Sequence, residues 1–246
     1  MKKKLIERVK LISTEYKFGD FFRNFIAVML GIIITFAGSD WITERNTQKE
    51  LEKSLQLVKS ELLLNKETIR EMGKRVAWEQ KAARYLFKYK NKGNEISQDS
   101  VNQYLPCLFQ WSKFTFTNDA IEMLKTSSLI QKIRNKELAL QIIKAYGTIK
   151  AVESSFEMYV YYKTQVQDEF NAHPQVKTCT YNQIRNRENP DYQGGDDLSE
   201  QLRLLFTLPE GLNMLQTIPN IISPQTYYTS VEEINKVVAA IDKEYN

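Results

Sequence analysis

FRNFIAVMLGIIITFAGSDW, Phe22–Trp41, is the stretch on which the fold turns. It reads in three ways: a membrane span, a cleaved export signal, or the core helix of a soluble domain. Its uninterrupted apolar core runs only from Phe25 to Gly38, which is short for a span. Phe21 and Phe22 before it and Trp41 and Ile42 after it lengthen it. Arg23 and Asp40 lie close enough to the ends to reach a headgroup layer. From Phe21 to Ile42 a helix rises roughly 33 Å at about 1.5 Å per residue, enough to cross a bilayer. Trp41 and the Phe pair then fall where aromatic belts form. The soluble-core reading lacks the polar stripe that a surface helix keeps. The export-signal reading has Ala37 and Ser39 at the spacing of a cleavage site behind a basic lead. Against it, the apolar core begins only at Phe25, behind a leader that is long for such a signal. The sequence therefore predicts an uncleaved signal anchor: a transmembrane helix over 21–42 behind a basic leader over 1–20.

Charge orients that span. Ahead of Phe25, Lys2, Lys3, Lys4, Arg8, Lys10, Lys17 and Arg23 face only Glu7, Glu15 and Asp20. The excess equals the net charge of the whole chain, +4, so the remainder is neutral. Beyond the span, Arg45, Lys49, Lys53 and Lys59 are the cations between Thr43 and Leu62. The bias predicts a cytoplasmic N-terminus in a bacterial inner (cytoplasmic) membrane, with residues 43–246 extracytoplasmic, in the periplasm of a Gram-negative host. The leader reads as a topology signal in contact with anionic membrane lipid. A neutral remainder lacks the electrostatic footprint of a nucleic-acid binder, so no nucleic-acid partner is expected.

Small residues Ala27, Gly31, Thr35 and Ser39 recur every four positions along one side of the span. In lipid such a stripe lets two backbones approach closely, and it suggests a homo-oligomer. After the span, Leu51, Leu55, Val58, Leu62, Asn65, Ile69, Met72 and Val76 alternate at spacings of four and three. This heptad seam carries a polar Asn of the kind that sets register in paired helices. The first long helix is expected over 43–89, ending before the turn cluster Asn91-Lys92-Gly93-Asn94.

A second long helix is expected over 136–171, capped by Asn135. Leu138, Ile142, Ala145, Ile149, Val152, Phe156, Tyr159, Val166 and Phe170 form its apolar face, broken once by Lys163. With matching periods the two long helices can pack antiparallel, with shorter helices in Ser97 to Asn135 between them supplying Trp111, Phe114, Phe116, Ile121 and Leu124 to the core. Residues 172–197, with Pro174, Pro190, Gly194 and Gly195, read as a loop. Short helices follow around Leu198–Phe206 and Glu210–Leu215. A last helix opens on Ser230 and Glu233, the spacing of a capping box, and runs through Ile234, Val238 and Ile241, with Val237, Val238 and Ile241 closing the bundle. The fold class is all-α: a transmembrane helix continuing into a long helix, with an extracytoplasmic helical bundle.

Candidate chemistry is sparse. Cys107 and Cys179 belong to no metal-ligand spacing. In an oxidising compartment a disulfide between them would close a loop of about 72 residues, worth about 4 kcal/mol; two separate buried thiols is the other reading. The one histidine, His173, reads as a loop residue, since no nucleophile or orienting acid is marked out beside it. DYQGGDD, Asp191–Asp197, lacks the alternating oxygen ligands and closing Glu of an EF-hand loop. Within MYVYY, Tyr159 reads as core, and Tyr161 and Tyr162 as rim. No catalytic, metal or cofactor-binding residue is assigned, and no cofactor is expected.

Two stretches carry a resemblance: FRNFIAVMLGIIITFAGSDWITERNTQKELEKSLQLVKSELLLNKETI, Phe22–Ile69, and FTFTNDAIEMLKTSSLIQKIRNKELALQIIKAYGTI, Phe114–Ile149. Through them the chain resembles a bacterial single-span membrane protein family of unknown function, with a basic leader, one early span, a long charged helix and an outer helical domain. The resemblance implies topology and a helical fold but no activity. It also implies a glycine in the turn where Ser127-Ser128 stands. Two functions are weighed. One is a non-enzymatic, membrane-anchored interaction or scaffold protein that binds a partner protein or self-associates. The other is an envelope enzyme or accessory subunit, or a ligand-binding sensor, with a carboxylate/tyrosine site. Three or more ionisable groups converging on a pocket would favour the second, and a broad exposed apolar face the first.

Overall fold

The computed structural model describes residues 18–110, 113–187 and 195–245. Every long element among them is an α-helix: α1 Phe18–Lys88, α2 Gln98–Phe109, α3 Asp119–Thr126, α4 Lys136–Ala172, α5 Pro174–Arg187, α6 Gly195–Thr207, α7 Pro209–Thr217 and α8 Gln225–Tyr245. Three 3-10 turns, Gly93–Glu95, Leu129–Lys132 and Ile218–Asn220, join them, and no strand occurs among the described residues. The chain divides into two compact units after Lys53.

In the first unit the apolar stretch of α1 has no buried side chain in its most apolar window, whose mean hydropathy is 1.9. Val28, Ile34 and Phe36, on different sides of the helix, are each more than 60% exposed. By length and composition it is a candidate membrane span. Ala27, Gly31, Thr35 and Ser39 are all exposed. The Thr35 hydroxyl donates to the Gly31 carbonyl at 2.7 Å, which satisfies it within its own helix.

In the second unit, hydrogen bonds fix the direction of each helix. Tyr146 meets Glu61, and Lys163 meets Glu79. Partner numbers that rise together mean that α1 and α4 run parallel, which corrects the antiparallel expectation. A parallel pair needs a return path, and residues 89–135 provide it. Going back along α1, Tyr85 bonds Ser100, Arg75 bonds Gln110, Asn65 bonds Thr117 and Glu61 bonds Ala120. α8 then runs antiparallel to both long helices, through Lys59 with Asp242, Thr148 with Glu233 and Asn135 with Glu244.

The seam residues Leu55, Val58, Leu62, Asn65, Ile69, Met72 and Val76 are at most 1% exposed within this single chain, and Leu51 is buried too. The Asn65 side chain pairs with one residue of its own chain: Nδ2 donates to the Thr117 carbonyl at 2.7 Å and Oδ1 accepts from the Thr117 amide at 3.0 Å. It sets the register of the returning segment, so the seam needs no second copy. Trp111 lies outside the described residues. At the other end of the unit, Leu86, Leu105, Leu108, Phe170, Val176, Leu204, Leu205 and Met214 form a second apolar core.

Local signals explain the element ends. Asn135 Oδ1 accepts from the amides of Glu137 and Leu138 and starts α4, as a capping Asn does. Ser128 holds a left-handed φ of 60°, so the turn keeps the conformation for which glycine is usual. The loop expected over 172–197 is replaced in large part by α5 and the start of α6. Pro174 begins α5 instead of excluding it, because a proline needs no amide partner at a first helical position. The last helix begins at Gln225, not Ser230. Ser230 is buried and its hydroxyl donates to the Thr226 carbonyl at 2.9 Å, so the apparent capping box lies inside the helix. Val238 is half-buried, while Tyr227, Ile234, Val237 and Ile241 face the core.

α6 and α7 meet at a glycine. A Cβ on Gly211 would lie 2.4 Å from the Leu205 carbonyl oxygen, whereas one on Gly147 would meet nothing within 4 Å. Gly211→Ala is expected to cost about 1–3 kcal/mol and Gly147→Ala to add up to about 1 kcal/mol. Thermal unfolding by circular dichroism in mild detergent checks both, and equal effects would contradict this packing.

Candidate functional site

Arg75 and Glu79 are one turn apart on α1, and Tyr159 and Lys163 one turn apart on α4. The parallel pairing brings all four together. Glu79 Oε1 accepts from Arg75 Nε at 2.6 Å, and Oε2 accepts from Tyr159 Oη at 2.7 Å and Lys163 Nζ at 2.6 Å. Glu79, Tyr159 and Lys163 are 2%, 2% and 6% exposed.

The same groups close the end of α2. Its last carbonyls have no partner within the helix and carry its negative dipole end. Arg75 Nη2 donates to the Cys107 carbonyl at 3.4 Å, Lys163 Nζ to the Gln110 carbonyl at 3.1 Å, and Gln167 Nε2 to the Leu108 carbonyl. Arg75 Nη1 also donates to Gln110 Oε1 at 2.8 Å. Burial pulls the Lys163 ammonium below the usual lysine range, against the opposite pull of Glu79. Burial and then the Glu79 charge hold the Tyr159 phenol protonated well above its ordinary value. A cavity of about 20 Å³ lies among Glu79, Gln110, Phe156, Tyr159, Lys163 and Thr164. That is room for about one water molecule.

A second polar joint ties α1 to α3. Asn118 at the start of α3 makes no side-chain cap. Glu61 replaces it from α1: Oε2 accepts from the Ala120 amide at 3.0 Å, and Oε1 accepts from Tyr146 Oη. A carboxylate at a helix N-terminus satisfies both the free amides and the dipole. Burial and then Glu61 raise the Tyr146 phenol far above its usual value.

Cys107 and Cys179 are buried in the second core as free thiols, not joined to each other. Burial, then Glu79, pushes the Cys107 thiol up to about 11, and its Sγ donates to the Tyr104 carbonyl at 2.9 Å. His173 stands between α4 and α5, where its Nδ1 accepts from the Gln175 amide at 3.3 Å. Tyr159 is core and Tyr161 and Tyr162 are exposed. Asp191–Gly194 lie outside the described residues, and among the described residues no three His, Cys, Asp or Glu side chains gather as a metal site. Glu79, Lys163, Glu61 and Tyr146 were not singled out as site residues from sequence. A signal existed: Glu79 occupies the next seam position after Val76, and Lys163 interrupts the apolar face of α4. Comparison with known proteins returns no match, whether to a family model, a curated sequence or a solved structure.

Glu79→Leu leaves the Lys163 charge buried without its counter-ion and is expected to cost about 3–5 kcal/mol. Glu79→Leu with Lys163→Leu is expected to recover at least half of that, since Arg75 keeps a side chain 22% exposed to water. Additive losses in denaturant melts would show that the pair is not coupled. Tyr227 is fully buried, its hydroxyl has no hydrogen-bond partner among the described residues, and burial pushes the phenol up to about 12. A folded value above the unfolded one near 10 means stability complete below about pH 10 and lost as pH rises toward about 12, by at most roughly 3 kcal/mol. Tyr227→Phe is expected to remove its own share of the alkaline loss, leaving that of Tyr146 and Tyr159, and to add about 1 kcal/mol at pH 7; a melt series from pH 8 to 12 reads both.

Proposed function

We propose that the chain is a non-enzymatic, membrane-anchored interaction or scaffold protein, held in a bacterial inner membrane by the α1 span. Its helical bundle lies on the periplasmic side and binds a partner protein or a second copy. The observation that carries this reading is the exposure of apolar side chains around the whole circumference of α1 between Phe22 and Ile42. A helix apolar on all sides needs either a protein core or lipid around it, and none of its most apolar window is buried among the described residues. Leu57, Leu64, Leu140 and Ile143, each at least 45% exposed in the second unit, add apolar surface of the kind that partners cover. The excess of Lys and Arg before the span supports a cytoplasmic N-terminus and lipid contact.

A second reading, an envelope enzyme or ligand-binding sensor, draws on Glu79, Tyr159 and Lys163 converging on one cavity. That cavity admits a water and not a substrate, and its three groups are each bonded within the chain. The first reading is therefore preferred. It predicts that a reporter fused after Asn246 behaves as extracytoplasmic and one fused before Lys2 as cytoplasmic. Protease protection of residues 54–246 in intact spheroplasts would overturn the topology. Affinity purification from mild detergent identifies what co-purifies.

A further inference from the structure

We propose that Lys81, Arg84 and Lys88, on the solvent side of α1, form a docking surface for an acidic segment of a partner protein. This rests on the interaction reading above and names the chemistry of the partner. At spacings of three and four, the three side chains share one face over roughly 10 Å of helix, and all three are exposed. The run from Gln80 to Asn94 holds five cations, Lys81, Arg84, Lys88, Lys90 and Lys92, and no acid.

Elsewhere in the unit exposed cations stand beside a carboxylate: Lys74 pairs with Glu71, Lys125 with Glu122 and Arg203 with Glu200, each three residues away. Lys81, Arg84 and Lys88 enter no ion pair among the described residues. Their flanks do not neutralise them either. On one side, the segment from Gly211 to Val231 has no charged residue, and its Pro219 carbonyl accepts from Arg84 Nη2 at 3.0 Å. On the other, α2 contributes a single acid, Asp99, in its first turn. The residues beyond Phe25 balance overall, so this is a local excess whose complement is an anion. Two of the cations are also held in place. Lys81 Nζ lies 5.1 Å from the centre of the Trp78 ring, and Lys88 Nζ 5.8 Å from that of Tyr89, contacts that reduce the entropy lost on binding.

The surroundings then select among anions. A single-stranded nucleic acid needs ring faces on which bases stack. Here Trp78 already carries Tyr104 and Lys81, and Tyr85 carries Tyr104 and Tyr89, with ring centres 4.6–5.5 Å apart. A peripheral membrane helix inserts an apolar face, but no large apolar side chain from Val76 to Leu108 is exposed. Carboxylates on a polypeptide need neither feature. They take up ammonium and guanidinium donors directly, and the half-buried Trp and Tyr edges beside the stripe suit a protein interface.

The test uses the full chain in phosphatidylcholine nanodiscs and a fluorescent helical peptide with Glu at every third or fourth position, read by anisotropy beside the same peptide with Gln. The Glu peptide is expected to bind, the Gln peptide not to, and the affinity to fall as salt is raised. Lys81→Glu with Lys88→Glu is expected to weaken binding by about tenfold or more, with the thermal midpoint unchanged because both side chains are exposed. Lys144→Glu with Lys236→Glu makes the same charge change on α4 and α8 and is expected to bind as the unaltered chain does. A Glu peptide that does not bind, or one weakened equally by the two double variants, overturns the proposal. Binding to phosphatidylglycerol vesicles or to a single-stranded oligonucleotide that exceeds peptide binding and is lost in Lys81→Glu with Lys88→Glu overturns the peptide occupant. A partner captured equally by the unaltered chain and by that variant overturns this surface and leaves the interaction reading standing; no captured partner and no peptide binding overturns both.

Discussion

A carboxylate removed from water must be surrounded by donors, and that requirement organises the second unit. Glu79 has three, Arg75 from its own helix and Tyr159 and Lys163 from α4. The unpaired alternative costs several kcal/mol, so α4 is restricted to registers that deliver a phenol and an ammonium to this point. Arg75 and Lys163 also reach the carbonyls at the end of α2. One charge cluster therefore fixes three helices, with enough spare charge on Arg75 and Lys163 to neutralise a helix terminus. A buried network of this kind sets geometry more than it adds stability.

The second polar joint works in the same way about five turns earlier on α1. Asn65 offers a paired donor and acceptor, and the Thr117 amide and carbonyl satisfy both. Glu61 offers a charge that a helix start can satisfy, and α3 begins there. The returning segment is thus held at both ends, which leaves α4 to rise alongside α1 in the same direction. The parallel arrangement follows from these joints and not from the apolar seams, which are equally compatible with either direction.

Much of the helical content was legible because four-three spacing depends only on local geometry. The long helices, the Asn135 cap and the core role of Tyr159 came from that pattern. Where the reading failed, a residue type with two roles was given the commoner one. Pro174 opens a helix, and its neighbours Val176 and Cys179 are buried, so residues 174–187 are helical where a loop was expected. Ser230 bonds back to Thr226 inside α8, while Ser223 Oγ accepts from the Gln225 amide at the true start. Capping and back-bonding use the same hydroxyl. The polar residues in the seams, Glu79 and Lys163, were visible as interruptions, but an interruption does not name its partner.

By itself the sequence determined the all-α class, the apolar stretch over 21–42 long enough to cross a bilayer, the buried seam from Leu51 to Val76 and the limits of α4. These depend on side-chain periodicity and on capping groups a few residues away. Tertiary structure alone decided that α1 and α4 run parallel, that Asn65 pairs with Thr117 within the chain, and that Glu79 and Lys163 neutralise each other. Each of those joins residues 50 or more positions apart. Direction and pairing at that distance are set by which donors and acceptors satisfy one another once water is excluded, and no local pattern encodes that choice.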